Sequence, residues 1–319
     1  MDVFEHCRQY FNSQGWDLQT VANTYDSVVT EQGWPLKLPV IDFAPNTLLL
    51  LHFQDFVTTS QGQVNELETV ARFYGDRAKQ CIVMHWPCAL QRFHHGDLNF
   101  IEFDWHEYNI LNNLNQRHQE WIDVVETPKT LPWQCLNGRI CDHRVRVSKV
   151  LQHWGLGILS LGDDSALPHW HYSTYFGTEN EDNFIRLKDV YAQCRVNIVT
   201  ETQYDHAPGI VSEKTFFALL SGQIPIVIGH PGIVDDCRHL GFDMFDDVVD
   251  NSYDYLPNDE RAEQALLRNQ DLIQGRIDLA PYQDRLRKQS NMMQQYPRIL
   301  EQRLDDQLVR LSRNFCRSP

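Results

Sequence analysis

The sequence lacks several features that would each have pointed to a class of protein. None of its eight cysteines forms a C-x-x-C pair with another, so the spacing supports neither a zinc ribbon nor a disulfide scaffold. A reducing compartment is the simplest expectation for such scattered thiols. No apolar run approaches the roughly 20 residues that a membrane-spanning helix needs. The longest, around Thr47 to Phe53, is far shorter. Positive charge is scarce too, with 28 Lys and Arg against 43 Asp and Glu and a net charge of -15. That balance excludes generic electrostatic binding to nucleic acid or anionic membrane, but not a local basic site. The opening MDVFEHCRQYFNSQ has no basic region followed by an apolar core, so no signal peptide is expected. Neither the dinucleotide fingerprint nor the Walker lysine pattern occurs, so nicotinamide and ATP-hydrolysis chemistry have no support. The expectation is a soluble, cytoplasmic chain with no membrane partner. Its 319 residues suffice for two domains, each with its own core.

What is present alternates between strand-like and helix-like stretches. Past a short helix near Phe4 to Phe11, residues up to Pro45 carry little signal. Strands are expected at Thr47–Phe53, Cys81–Met84 and Asn99–Phe103, with helical spacing over Val64–Lys79 and Tyr108–Val125. Two prolines flank a polar turn in Glu126–Pro132, and the domain boundary is placed there, giving residues 1–128 and 129–319. A second series follows: strand Trp133–Leu136, loop Asn137–Cys141, helix Asp142–Trp154, strand Gly157–Leu161, a long loop to Asp182, then helix Phe184–Gln193. The stretch Asn197–Gly232 reads as strand, loop, helix, strand, loop. Ser212 suits an N-cap, Gly222 a helix stop, and Ile224–Ile228 a buried parallel strand. Ile233–Leu240 is a short helix, another begins near Asp259, and Tyr282–Phe315 is largely helical. The fold class expected is α/β with parallel sheets and a helical C-terminus.

Two places carry charge where open α/β sheets bind ligands, beyond the carboxyl ends of strands. Lys129–Gly155 holds Lys129, Arg139, Arg144, Arg146 and Lys149 against the single acid Asp142. Guanidinium forks beside a helix start suit a diphosphate, although a solvated helix face would look the same. Ser212-Glu213-Lys214 adds a cation and a carboxylate at another helix start, where an ordinary capped helix is the plainer reading. Glu201 ends a strand expected to be buried, which a surface role explains less well. The GHPG loop at Gly229–Gly232 could bring backbone to a ligand or be a plain turn.

The stretch TETQYDHAPGIVSEKTFFALLSGQIPIVIG resembles the donor-binding motif of the α-1,3-fucosyltransferases and their bacterial and viral relatives. An acidic residue after a strand, S/T-E-K, an apolar helix and a P-[IV]-[IV]-x-G strand correspond here to Glu201, Ser212-Glu213-Lys214 and Pro225–Gly229. The resemblance covers roughly Cys135 to Asp254. It implies a GT-B arrangement of two Rossmann-like domains, the second holding the donor and the first the acceptor. It also implies an inverting, metal-independent transfer with no cofactor, from a GDP- or UDP-linked sugar to a glycan or other hydroxyl acceptor. Glu213 would hold the ribose and Lys214 the diphosphate, joined by Arg139 or Arg144.

Such a transfer needs a base for the acceptor hydroxyl and positive charge for the leaving group. Candidates for the base follow first-domain strands: Asp55 and Asp104 foremost, with His85 and His106 behind them. The histidines of HWHY, at His169 and His171, could meet a metal or belong to an aromatic loop. Two alternatives stay open. One is a non-catalytic nucleotide- or carbohydrate-binding module. The other is a viral glycosyltransferase acting on hydroxymethylated DNA bases, for which Arg276–Arg317 offers nine Lys or Arg against five acids.

Overall fold

The computed structural model describes residues 2–21, 38, 44–52, 69–85, 98–103, 108, 111–112, 124–138, 140–161, 180–205 and 211–315. Its strands form two four-stranded sheets, both wholly parallel. The chain divides into one compact unit of Met1–Trp105 with Arg298–Pro319, and a second of His106–Pro297. The boundary expected at 128/129 falls inside the second unit.

In the first unit, helix α1 (Val3–Ser13) starts because Asp2 accepts hydrogen bonds from the backbone N–H groups of Phe4 and Glu5. Strands β1 (Asp17–Val21), β2 (Thr47–His52), β3 (Cys81–His85) and β4 (Asn99–Glu102) lie side by side in sequence order. The run Leu48 to Leu51 is buried throughout, as a strand covered on both faces requires. Alternation puts Leu49, Leu51 and Val83 on one face, where they cluster with Val70, Tyr74 and Ala78. The helix expected over Val64–Lys79 gives way at Gly75, whose φ of +52° breaks it, and Gly75–Gln80 continues as a 3-10 turn. Strand β1 was not expected: DLQTV is short, and its Leu18 is buried but flanked by polar residues.

The end of the chain belongs to this unit. Helix α8 (Gln283–Phe315) contains Pro297, and the residues beyond it pack on α1. Phe315 meets Phe11 edge-on at 6.0 Å, and His6 pairs with Asp305 at 2.6 Å. Gln307 donates to Glu102 C=O and accepts from its N–H.

The second sheet is built from β5 (Leu131–Asn137), β6 (Gly157–Leu161), β7 (Cys194–Thr200) and β8 (Ile224–Ile228), in the order β6-β5-β7-β8. The chain moves from β5 outward to β6, then returns to the other side of β5. That reversal sits between β5 and β7, and no reversal exists among the described strands of the first sheet. Strand β8 is at the sheet's edge, which is where a strand can carry Pro225 without losing a ladder bond. Between the strands run α2 (Asp142–Leu151), α3 (Asn180–Gln193) and α4 (Glu213–Leu220). After β8 come α5 (Ile233–Leu240), α6 (Asn258–Arg268) and α7 (Gln270–Ile273). Ser212 caps α4 as expected. At its far end Ser290 donates to Leu220 C=O at 2.6 Å, satisfying a carbonyl the helix leaves open.

Trp133 and Gly157 are register partners on β5 and β6, and the indole lies against the glycine. A Cβ there would fall 2.0 Å from Trp133 Cε2. Gly157→Ala is therefore expected to displace a core indole and cost about 2 kcal/mol, as overpacking does. A urea midpoint unchanged from the parent would count against it.

Candidate functional site

The chemistry-bearing residues of the second unit gather where β5 and β7 end, at the order reversal. This is the crevice at which open parallel sheets take their ligands. At its floor, Thr200 Oγ1 donates to Asn137 Oδ1, and the Asn137 N–H donates to Ser160 Oγ at 3.1 Å. The three residues come from three neighbouring strands, and all are buried.

The first turn of α2 reaches across this floor. His143 Nε2 donates to the carbonyl of Glu201 at 2.9 Å. A carbonyl can only accept, so the proton sits on Nε2. Burial pushes His143 down to about 4; the Glu201 carbonyl opposes this and the charge of Arg144 adds to it, so the ring is neutral at pH 7. Its plane stacks on Tyr204 at 4.3 Å. Arg144 is 1% exposed and donates to Thr200 C=O at 2.9 Å and Thr202 Oγ1 at 3.1 Å. The loop after β7 is thus fastened to the helix after β5.

Glu201 is equally committed to the protein. Its N–H donates to Ile228 C=O at 2.8 Å. Its carboxylate accepts from Ser212 N–H at 3.0 Å, from Ser212 Oγ, and from Thr215 Oγ1 at 2.9 Å. The strand-end acid expected to face a donor therefore clamps the start of α4. Gly229 makes room for it, since a Cβ there would meet Glu201 Cβ at 3.2 Å. The open face of this glycine is turned to Glu201.

That clamp presents Glu213 and Lys214. Their side chains, 17% and 24% exposed, form an ion pair of 2.8 Å, and Lys214 Nζ lies 3.4 Å from Ser212 Oγ. Burial alone would lower the Lys214 ammonium, but the carboxylates of Glu213 and Glu201 outweigh it and hold the group above its usual value. Arg144 is close enough to act on the same ammonium in the opposite sense. Arg144, Glu201, Ser212, Glu213 and Lys214 therefore share one electrostatic neighbourhood, assembled from two helices and a strand end. Arg139, Asp55 and Asp104 lie outside the described residues, as do His106, His169 and His171. The rest of the basic stretch disperses. Lys129 donates to Tyr191 C=O at 3.2 Å, and Arg146 to Asp259 C=O at 3.2 Å. Burial pulls Lys129 down to about 8.

Beside this cluster the GHPG loop is held by Arg261, which is fully buried. Arg261 donates to Gly229 C=O at 2.9 Å, Leu256 C=O at 2.9 Å, Tyr204 C=O at 2.5 Å and Asn258 Oδ1 at 2.8 Å. Its guanidinium also lies 4.4 Å from the centre of the Tyr204 ring. Gly232, at φ +89°, turns the chain into α5, whose Val234 N–H donates to the buried Asp254 at 3.0 Å. His230 and Asp236 pair at 3.2 Å, both buried. Sequence reasoning missed Arg261, because NDERAEQ looks like a solvated helix start.

Among the described residues, no helix is long and apolar enough to cross a membrane. No group of three or more His, Cys, Asp or Glu side chains is placed to hold a metal ion there either. Compared with protein-family models, curated proteins and solved structures, the chain gives no significant match to any of them.

Proposed function

We propose that the protein is a glycosyltransferase that moves a sugar from a nucleotide diphosphate sugar, GDP- or UDP-linked, to an acceptor hydroxyl. The observation that carries this reading is the meeting of Arg144 and Lys214 about the Thr200–Thr202 turn, at the point where the strand order reverses. A departing nucleoside diphosphate carries growing negative charge, and a lysine at a helix start supplies a cation within the positive end of the helix dipole. Lys214 is the cation that a ligand reaches, since Arg144 is buried against the turn it braces. In this reading the Glu213–Lys214 pair opens on binding. The carboxylate then turns to the ribose hydroxyls and the ammonium to the diphosphate.

A GT-B pairing of the two α/β units, inversion at the anomeric carbon and a cytoplasmic setting belong to the same proposal. So does a base from Asp55 or Asp104 to take the proton of the acceptor hydroxyl. No metal and no cofactor enters the proposed transfer.

Calorimetry with GDP and UDP tests the donor half. Lys214→Ala removes a charge-assisted contact of about 1.5–3 kcal/mol, which is roughly ten- to a hundredfold in affinity. If the folded parent binds neither nucleotide and hydrolyses no nucleotide sugar, the reading is wrong.

A further inference from the structure

Among the described residues, Tyr255 is the largest exposed apolar side chain near the candidate site, at 60% exposure, yet it is pinned. Its hydroxyl donates to Asp235 Oδ2 at 2.5 Å. The other oxygen of Asp235 pairs with Arg238, so the acceptor is itself held. The same edge of the ring lies over the backbone of Gly232. A Cβ there would come 3.2 Å from Tyr255 Oη and 3.5 Å from Cε1 and Cζ. Immediately before it, Asp254 points inward and accepts from Val234 N–H, fastening this segment to the start of α5. A large aromatic ring is thus oriented by its hydroxyl edge and left open over the rest. Its hydroxyl is held protonated, pushed up to about 12 chiefly by the bond to Asp235.

Its place in the fold matters as much. Gly232 closes the loop that follows β8, and Gly229 opens that loop against Glu201, the residue that clamps Ser212. Tyr255 itself follows α5, but its ring rests on Gly232 in the loop after β8. Strand β8 is the neighbour of β7, the strand before Lys214's loop, and both loops leave the same, carboxyl end of a parallel sheet. A nucleotide is a charged diphosphate joined to a flat ring; the loop after β7 leads to a cation, and a fixed flat ring rests on the loop after β8.

We infer that Tyr255 is the stacking platform for the nucleobase of the donor, a role that rests on the nucleotide-sugar reading above. Stacking is tolerant of base identity, because every base has a π-face. Recognition by Tyr255 is therefore of the class of planar heterocycle, and a purine, with its larger face, gains more than a pyrimidine.

The test compares GDP, UDP and inorganic pyrophosphate by calorimetry on the parent, Tyr255→Ala and Tyr255→Phe. Truncating a stacking aromatic weakens base binding by roughly tenfold or more. Tyr255→Ala is expected to weaken GDP and UDP by that factor and leave pyrophosphate unchanged. Tyr255→Phe, which keeps the ring, stays within a few-fold of the parent, and the thermal midpoint of each variant confirms that it folds. Unchanged GDP and UDP affinity in Tyr255→Ala overturns the platform while the nucleotide reading stands. An equal loss for pyrophosphate overturns it too, since that ligand has no base. Should the parent bind none of the three, the nucleotide reading falls and the platform with it.

Discussion

Arg261→Met is expected to lower the stability of the second unit by about 4 kcal/mol, within the range for breaking a buried charged network. Methionine fills much of the same space, so the loss is mainly polar. Four acceptors lose their donor at once: the carbonyls of Gly229, Leu256 and Tyr204, and Asn258 Oδ1. Each group left buried and unsatisfied costs about 1–3 kcal/mol, although relaxation and water reduce the sum. The cation also leaves the face of Tyr204, whose other neighbour is His143. Burial already lowers the Arg261 guanidinium, with Tyr204, Asp254 and Asp205 opposing it, so the fold holds this charge at a cost that its hydrogen bonds and these neighbours offset. Urea unfolding should show a lower midpoint with the slope unchanged. A loss below about 1 kcal/mol would mean that the four acceptors find other donors.

The same residue shows what could be read from the sequence and what could not. Ile224–Ile228 and Leu48–Leu51 were legible because a strand buried on both faces must be apolar at every position. The helix start at Ser212 was legible because an N-cap needs a short polar side chain at one position. Strand β1 was not, since DLQTV has too few apolar residues to declare a face. Arg261 was hidden for a different reason. Charge in a helix is normally solvated, and only the tertiary fold brings Gly229 and Tyr204, 32 and 57 residues away, to its guanidinium. Glu201 falls between the two cases. Its burial follows from its place at the end of an apolar strand, but which groups it meets does not. Ser212 and Thr215, 11 and 14 residues on, complete its shell, so a residue expected to face a ligand holds the residues that would.

Asp254→Asn should change how stability depends on pH, by an amount comparable with the Arg261 substitution. Burial raises the Asp254 carboxyl from 3.8 to about 7, against the opposing pull of the Val234 amide; Asp235 raises it further and Arg261 lowers it. The folded state therefore holds a proton that the unfolded chain has already released. Below pH about 4 both states are protonated and the group costs nothing. Between about 4 and 7 the parent loses roughly 1.4 kcal/mol per pH unit from this one group, and above about 7 the penalty is complete. Asparagine keeps an oxygen for the Val234 N–H and has no charge to bury. The variant is expected to match the parent near pH 4 and to exceed it increasingly up to pH 7, with a constant margin beyond. Urea midpoints at pH 4, 5.5, 7 and 8.5 give that difference curve, and a flat one would show that Asp254 is ionised in the fold at all four. Arg261 acts on the same carboxyl, so in Arg261→Met the upper end of the window should move to higher pH. The two substitutions should not add, because each removes the other's counter-charge.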